Sequence, residues 1–142
     1  MKIAYLDCFS GISGDMLLAA LLDAGYPLEE LRRTLSVLPL TERIGVTFEE
    51  TRKGALRAAR LVVDLPDAPH DHRHFSDITE LLRAAPLDGP TRQNALAIFT
   101  ALAQAEARVH GTTVEEVHFH EVGALDSILD IIGISAGLAW LG

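Results

Sequence analysis

The last stretch of the chain, residues 124–142, constrains its fold most. Its pattern predicts a helix over residues 124–141, and residues 131–142 carry no charged side chain. A helix that is apolar on nearly every side has to be buried, whereas a membrane span needs about 20 apolar residues. We therefore expect this helix to pack in a protein core or against a second protein chain.

Composition narrows the class of protein. The 142 residues suffice for a single domain, 1–142, with a hydrophobic core. A hydrophobic content of 49% and a charged content of 23% favour a soluble globular protein. The net charge of −8 argues against nucleic acid or an anionic membrane as a partner. The single cysteine, Cys8, excludes an intrachain disulfide, and with no signal-peptide pattern it favours a cytoplasmic location.

Periodicity predicts an α+β fold, with a small mixed sheet of about four strands covered by about five helices. Helix starts and stops are set by capping residues, such as Ser13 and Asp77 at N-termini and Gly111 at a C-terminus. The predicted strands are residues 2–6, 44–51, 61–65 and 117–122, and the predicted helices are residues 16–24, 28–38, 77–84, 91–109 and 124–141.

One cluster of metal-ligating residue types lies just before and within the last helix. In an extended segment His118 and His120 point to the same side. Asp126 and Asp130 are four residues apart and share one helix face. A bend at Gly123 would fold that face over the histidines, and such mixed nitrogen and oxygen donors suit divalent transition metals.

Asp130 lies within an apolar stretch of this helix. A carboxylate buried there is costly unless it is paired or metal-bound. A purely structural interpretation stays open, in which Asp126 caps the helix, Asp130 accepts from backbone amides, and the histidines face solvent.

The second cluster is a polar loop in which His70, His72 and His74 alternate with other residues. Such a loop collects metal ions in some proteins and is simply solvated in others. His74 is its best candidate ligand, because it adjoins the helix that Asp77 is predicted to cap.

The third cluster is a strand-to-helix turn over residues 7–15. Free amides at a helix N-terminus favour an anion such as phosphate, and Asp7 with Asp15 would suit a cation that bridges to it. The turn is no P-loop, because the lysine and spacing are missing, and an ordinary turn is the alternative. The candidate phosphate-binding residues are Ser10, Gly11, Ser13 and Gly14.

These three segments together resemble the signatures of one family. Residues 5–16 resemble its opening signature, residues 72–78 its His-rich loop, and residues 118–130 its third signature. The family is that of the LarC-type nickel insertion proteins. The loop departs from the denser histidine runs of some members, which weakens any role in storing several nickel ions.

The resemblance implies insertion of nickel into pyridinium bis-thiocarboxylic acid mononucleotide, with carbon–nickel and sulfur–nickel bonds formed. It also implies CTP with manganese or magnesium in a full-length protein that is much longer. CTP is expected to bind in a C-terminal domain, so this chain would be the N-terminal part, working with that domain or a second chain in an oligomer. The implied metal ligands are His118, His120, Asp126, Asp130, His74 and Asp7.

Insertion requires an open site that leaves coordination positions for substrate sulfur. A base must also take the ring proton, and Glu121 or a neutral histidine is the candidate, with Asp15 as a second catalytic candidate. Two other functions stay open at this point. One is a non-catalytic metal-binding or assembly domain, and the other is a metal-dependent phosphohydrolase.

Overall fold

The computed structural model describes residues 3–40, 44–65, 73–119 and 123–142. These contain five α-helices and four β-strands, which confirms the α+β prediction. The helices are α1 (Gly14–Asp23), α2 (Leu28–Ser36), α3 (Phe75–Ala84), α4 (Gly89–His110) and α5 (Leu125–Leu141). The strands are β1 (Gly45–Lys53), β2 (Leu56–Asp64), β3 (Arg73–His74) and β4 (His118–Phe119).

Helix α5 forms the centre of the core and contacts α1, α2 and α4. Two glycines on α5 allow this close packing. A Cβ at Gly133 would lie 2.9 Å from side-chain atoms of both Leu18 and Leu31, and one at Gly137 would lie 3.0 Å from Leu21. The prediction of a buried last helix is therefore confirmed.

No helix in the described part of the chain is long and apolar enough to span a membrane.

The strands form two separate antiparallel pairs instead of the predicted mixed sheet. Strands β1 and β2 make a hairpin in register from Gly45 opposite Asp64 to Lys53 opposite Leu56. Gly54 turns the hairpin with a φ of 63°, a conformation that glycine adopts without steric cost. Strands β3 and β4 form the second pair, so the four strands make two small sheets.

The predicted first strand has no partner within the described residues. Residues 3–6 form no ladder, and Ile3 and Tyr5 are 80% and 87% exposed. An apolar run indicates that a segment prefers burial, but it does not supply the neighbouring strand. The prediction of a strand inside this domain was therefore wrong.

Capping explains where α3 begins, two residues earlier than predicted. Asp77 lies inside the first turn, where Oδ2 accepts from the backbone N–H of His74 at 2.9 Å. The predicted role of Asp77 as the N-cap itself was wrong, because a carboxylate three residues after the cap satisfies the cap residue's own N–H. This bond holds His74 at the junction of β3 and α3.

The prediction that the long helix α4 stops at Gly111 is confirmed, and Gly111 has a φ of 64°.

Candidate functional site

A pair of histidines joins the His-rich loop to the third cluster. His74 and His118 lie directly opposite each other in the β3–β4 pair. Their ring centroids are 3.8 Å apart with the planes inclined by 50°. His74 is half-buried and His118 is exposed. The structure therefore brings together two imidazoles that are far apart in the sequence, at the edge of solvent.

The side of strand β4 that faces away from His118 packs in the core. Phe119 is 1% exposed, and its ring lies 6.3 Å from the rings of both Phe75 and Phe99. The predicted alternation, with Phe119 facing the core and His118 facing away, is confirmed. Because the buried ring is fixed in the core, the direction of the neighbouring imidazole is also fixed.

Gly123 connects this histidine pair to α5. The guanidinium of Arg73 donates from Nη1 to the carbonyl oxygen of Gly123 at 3.1 Å. A Cβ at Gly123 would lie 2.9 Å from the carbonyl oxygen of Phe119 and 3.2 Å from the backbone nitrogen of Arg73. The chain thus returns to the strand pair at Gly123, and α5 begins two residues later. No sequence pattern indicated this role for Arg73.

An acidic group lies where the start of α1 meets the first turns of α5. Asp130 packs directly on Gly14, and the backbone N–H of Asp15 donates to the Asp130 carboxylate. Asp126 lies one turn earlier on α5 and interacts electrostatically with Asp130. The first and third sequence clusters therefore meet here.

The pKa of Asp130 is raised to about 6 in total, and burial is the largest cause. The negative charges of Asp15 and Asp126 raise the pKa further, while the hydrogen bond from the Asp15 amide partly offsets the increase. Asp130 is half-buried. Ionisation of this carboxyl group therefore costs free energy for two reasons, which are desolvation and repulsion by the neighbouring carboxylates.

The turn before α1 is open to solvent. Ser10, Gly11 and Ser13 are exposed, and the backbone N–H of Gly11 donates to the carbonyl oxygen of Cys8 at 2.9 Å. Ser13 is the N-cap residue, but its hydroxyl donates to the Asp15 carboxylate instead of capping the helix. The assignment of these residues to a phosphate stays a prediction.

Several predicted site residues are not assembled by the described residues. In those ranges no group of three or more His, Cys, Asp and Glu side chains is placed to hold a metal ion. Asp7 is exposed. His120 and Glu121, together with His70 and His72, lie outside the described residues. The ligand set and the catalytic roles of Glu121 and Asp15 therefore stay predictions.

We expect Gly14→Ala to destabilise the protein by about 1–3 kcal/mol, because overpacking forces neighbouring atoms to move. The added methyl group would lie 2.7 Å from Cβ and 2.8 Å from Cγ of Asp130. Urea unfolding followed by circular dichroism measures the effect. Gly89→Ala is the matched control, because a Cβ at this first residue of α4 meets nothing within 4 Å. Equal stabilities of the two variants would refute the close contact.

We expect Asp130→Asn to stabilise the protein at about pH 7.5 by roughly 1–3 kcal/mol. The folded state holds the Asp130 proton more tightly than the unfolded state, whose pKa is near 3.8. Ionisation of Asp130 therefore removes stability as the pH rises from about 4 through about 6. The gain should shrink towards zero near pH 4 in urea unfolding experiments.

Glu115→Gln removes one exposed carboxylate of the 3-10 turn Val114–Glu116 and serves as the control for Asp130→Asn. It should change the free energy of unfolding little at either pH. A gain for Asp130→Asn that is as large at pH 4 as at pH 7.5 would contradict the account of Asp130.

Comparison with known proteins places the chain in a family. The family model described as nickel insertion protein matches residues 4–142. A candidate nickel insertion protein of Citrifermentans bemidjiense is 46% identical over 144 residues, covering 100% of this chain and 37% of that protein. A pyridinium-3,5-bisthiocarboxylic acid mononucleotide nickel insertion protein of Desulfitobacterium hafniense is 46% identical over 142 residues, covering 100% of this chain and 35% of that protein.

The chain spans little more than a third of the length of these relatives and matches their N-terminal part. No solved structure matches it. The matched region contains all three sequence clusters and both contacts that join them, His74 with His118 and Gly14 with Asp130. The chain belongs to the nickel insertion protein family.

Proposed function

We propose that this chain is the metal-handling part of a protein that inserts nickel into pyridinium-3,5-bisthiocarboxylic acid mononucleotide. The observation that carries the proposal is the contact between His74 and His118, with ring centroids 3.8 Å apart, in a chain of the nickel insertion protein family. The substrate is the one in the name of the Desulfitobacterium hafniense relative.

Nickel is the cargo of this reaction, so the site has to release it. Imidazole nitrogen is a ligand type that nickel accepts readily. A pair of imidazoles supplemented by one further ligand, which is His120 or the carboxylate of Asp126 or Asp130, leaves coordination positions open for substrate sulfur. The exposure of His118 supports this role, because an incoming substrate reaches that ring from solvent.

The acidic group bears on how the substrate phosphate would be held. Backbone amides at a helix N-terminus attract a phosphate. At the start of α1, however, the Asp15 amide already donates to Asp130, and the carboxylates of Asp15, Asp126 and Asp130 repel a phosphate. A divalent cation held by Asp7 and Asp15 would reverse that repulsion, since carboxylate oxygen suits magnesium and manganese. Ser10, Gly11, Ser13 and Gly14 would then contact the phosphate through backbone and hydroxyl groups.

Formation of the carbon–nickel bond releases a proton from the pyridinium ring. Glu121 follows the histidine segment directly in sequence and is the proposed base. Asp15 is the second candidate, and its carboxylate accepts a hydrogen bond from the Ser13 hydroxyl. CTP and its manganese or magnesium are assigned to the rest of the longer polypeptide.

Calorimetric titration of the chain with nickel tests the proposal. We expect one nickel ion to bind per chain, and His74→Ala and His118→Ala each to weaken binding by about tenfold or more. His110→Ala is the matched control. Its imidazole lies at the end of α4, 3.1 Å from the Glu106 carboxylate, and belongs to neither strand of the pair, so nickel affinity should not change.

Circular dichroism and urea unfolding show whether each variant is folded. Loss of affinity in a folded His74→Ala protein supports the site. Nickel affinity that is unchanged in both His74→Ala and His118→Ala would refute the site. Absence of nickel binding by the unaltered chain would also refute it, and the role of the chain would then be to hold the organic substrate or a partner.

A further inference from the structure

An apolar surface lies on the side formed by the first residues, one face of α1 and the end of α5. We call it the open face. It surrounds a cavity of about 530 Å³. Its lining residues include Tyr5, Leu6, Leu17, Leu21, Leu138 and Leu141.

The most exposed apolar side chains of the open face are clustered in one segment of the chain. Ile3 is 80%, Tyr5 87% and Leu6 56% exposed, and all three lie in one segment along the cavity. Contiguous apolar patches on soluble proteins mark interaction sites. Phe9 and Met16 follow this segment in the sequence and are also exposed, at 90% and 56%.

The backbone of residues 3–6 is also unpaired within the described ranges. Its sequence is that of a short strand, yet neither two-stranded pair includes it. Exposed strand-forming segments accept a strand from elsewhere, where main-chain hydrogen bonds supply affinity and side-chain pockets supply specificity. The cavity beside residues 3–6 provides such a pocket.

The length of the relatives indicates what covers the open face. Nearly two thirds of their polypeptide lies outside the region that this chain matches. Gly142 and Leu141 line the cavity, so a polypeptide that continues past residue 142 leaves from the open face itself. A short connection would therefore suffice to bring the following segment onto residues 3–6.

We propose that the open face is the docking surface for the remaining part of the nickel insertion polypeptide, which adds a strand to residues 3–6 and fills the cavity with apolar side chains. The proposal rests on family membership and not on the nickel site. A second copy of the chain is the less suitable occupant, because each copy carries a net charge of −8 and the two would repel.

The test is to co-express the tagged 142-residue chain with the remaining part of the Desulfitobacterium hafniense relative as a separate polypeptide. We expect the two to purify as a one-to-one complex by size-exclusion chromatography with light scattering. Tyr5→Glu should weaken the complex by about tenfold or more, because a charge would then have to be buried in an apolar contact. Hydrogen exchange of the amides of residues 3–6 should slow in the complex.

Val109→Glu is the matched control, since Val109 is 79% exposed on α4 and does not line the cavity. It should leave the complex intact. Absence of a complex, or a complex unaffected by Tyr5→Glu, would overturn the proposal. A homodimer of the 142-residue chain that Tyr5→Glu dissociates would overturn it too, by assigning the open face to a second copy. Nickel titration of the Tyr5→Glu chain in the absence of the second polypeptide shows whether its metal site is intact. A lost complex can thereby be distinguished from a lost metal site.

Discussion

The close packing of α5 on α1 is the contact on which the rest of the structure depends. Gly133 and Gly137 make room for it in the core, because a Cβ at either position would press on leucine side chains of α1 or α2. The same contact requires glycine at Gly14, where α1 begins beneath Asp130. Packing density in the core thereby fixes the distance between the two segments that carry carboxylates.

That contact has an electrostatic cost. Asp130 is desolvated and faces the charges of two other carboxylates, which raises its pKa to about 6. A folded protein retains such an arrangement at a cost in stability, and perturbed carboxylates of this kind concentrate at functional sites. A bound divalent cation would relieve the repulsion. Asp126 follows Gly123 by three residues, and Arg73, the neighbour of His74, donates to the carbonyl oxygen of Gly123. Gly123 therefore connects the acidic group to the histidine pair.

Local patterns predicted the parts of the fold that depend on local physics. The apolar run of the last helix, the stop at Gly111 and the inward direction of Phe119 follow from periodicity and capping, and all three are confirmed. The antiparallel contact of His74 with His118 could not be predicted, because strand register depends on which distant segments meet. The absence of a described partner for residues 3–6 has the same cause.

The candidate site was predictable to a similar degree. Residue types and spacing identified which side chains suit a metal, but not which of them touch. Spacing suggested that Asp126 and Asp130 would fold over the histidines, whereas Asp130 packs on Gly14, a contact that no periodicity encodes. His120, a further predicted ligand, lies outside the described residues.

X-ray absorption spectroscopy of the nickel-loaded chain tests the central claim most directly, because it reports the ligand atoms themselves. The account predicts nitrogen and oxygen neighbours, the outer-shell scattering of at least two imidazoles, and loss of that scattering when His74 and His118 are both replaced by alanine. A sulfur neighbour from Cys8, the free and exposed cysteine, or an imidazole signal that survives the double replacement, would contradict it.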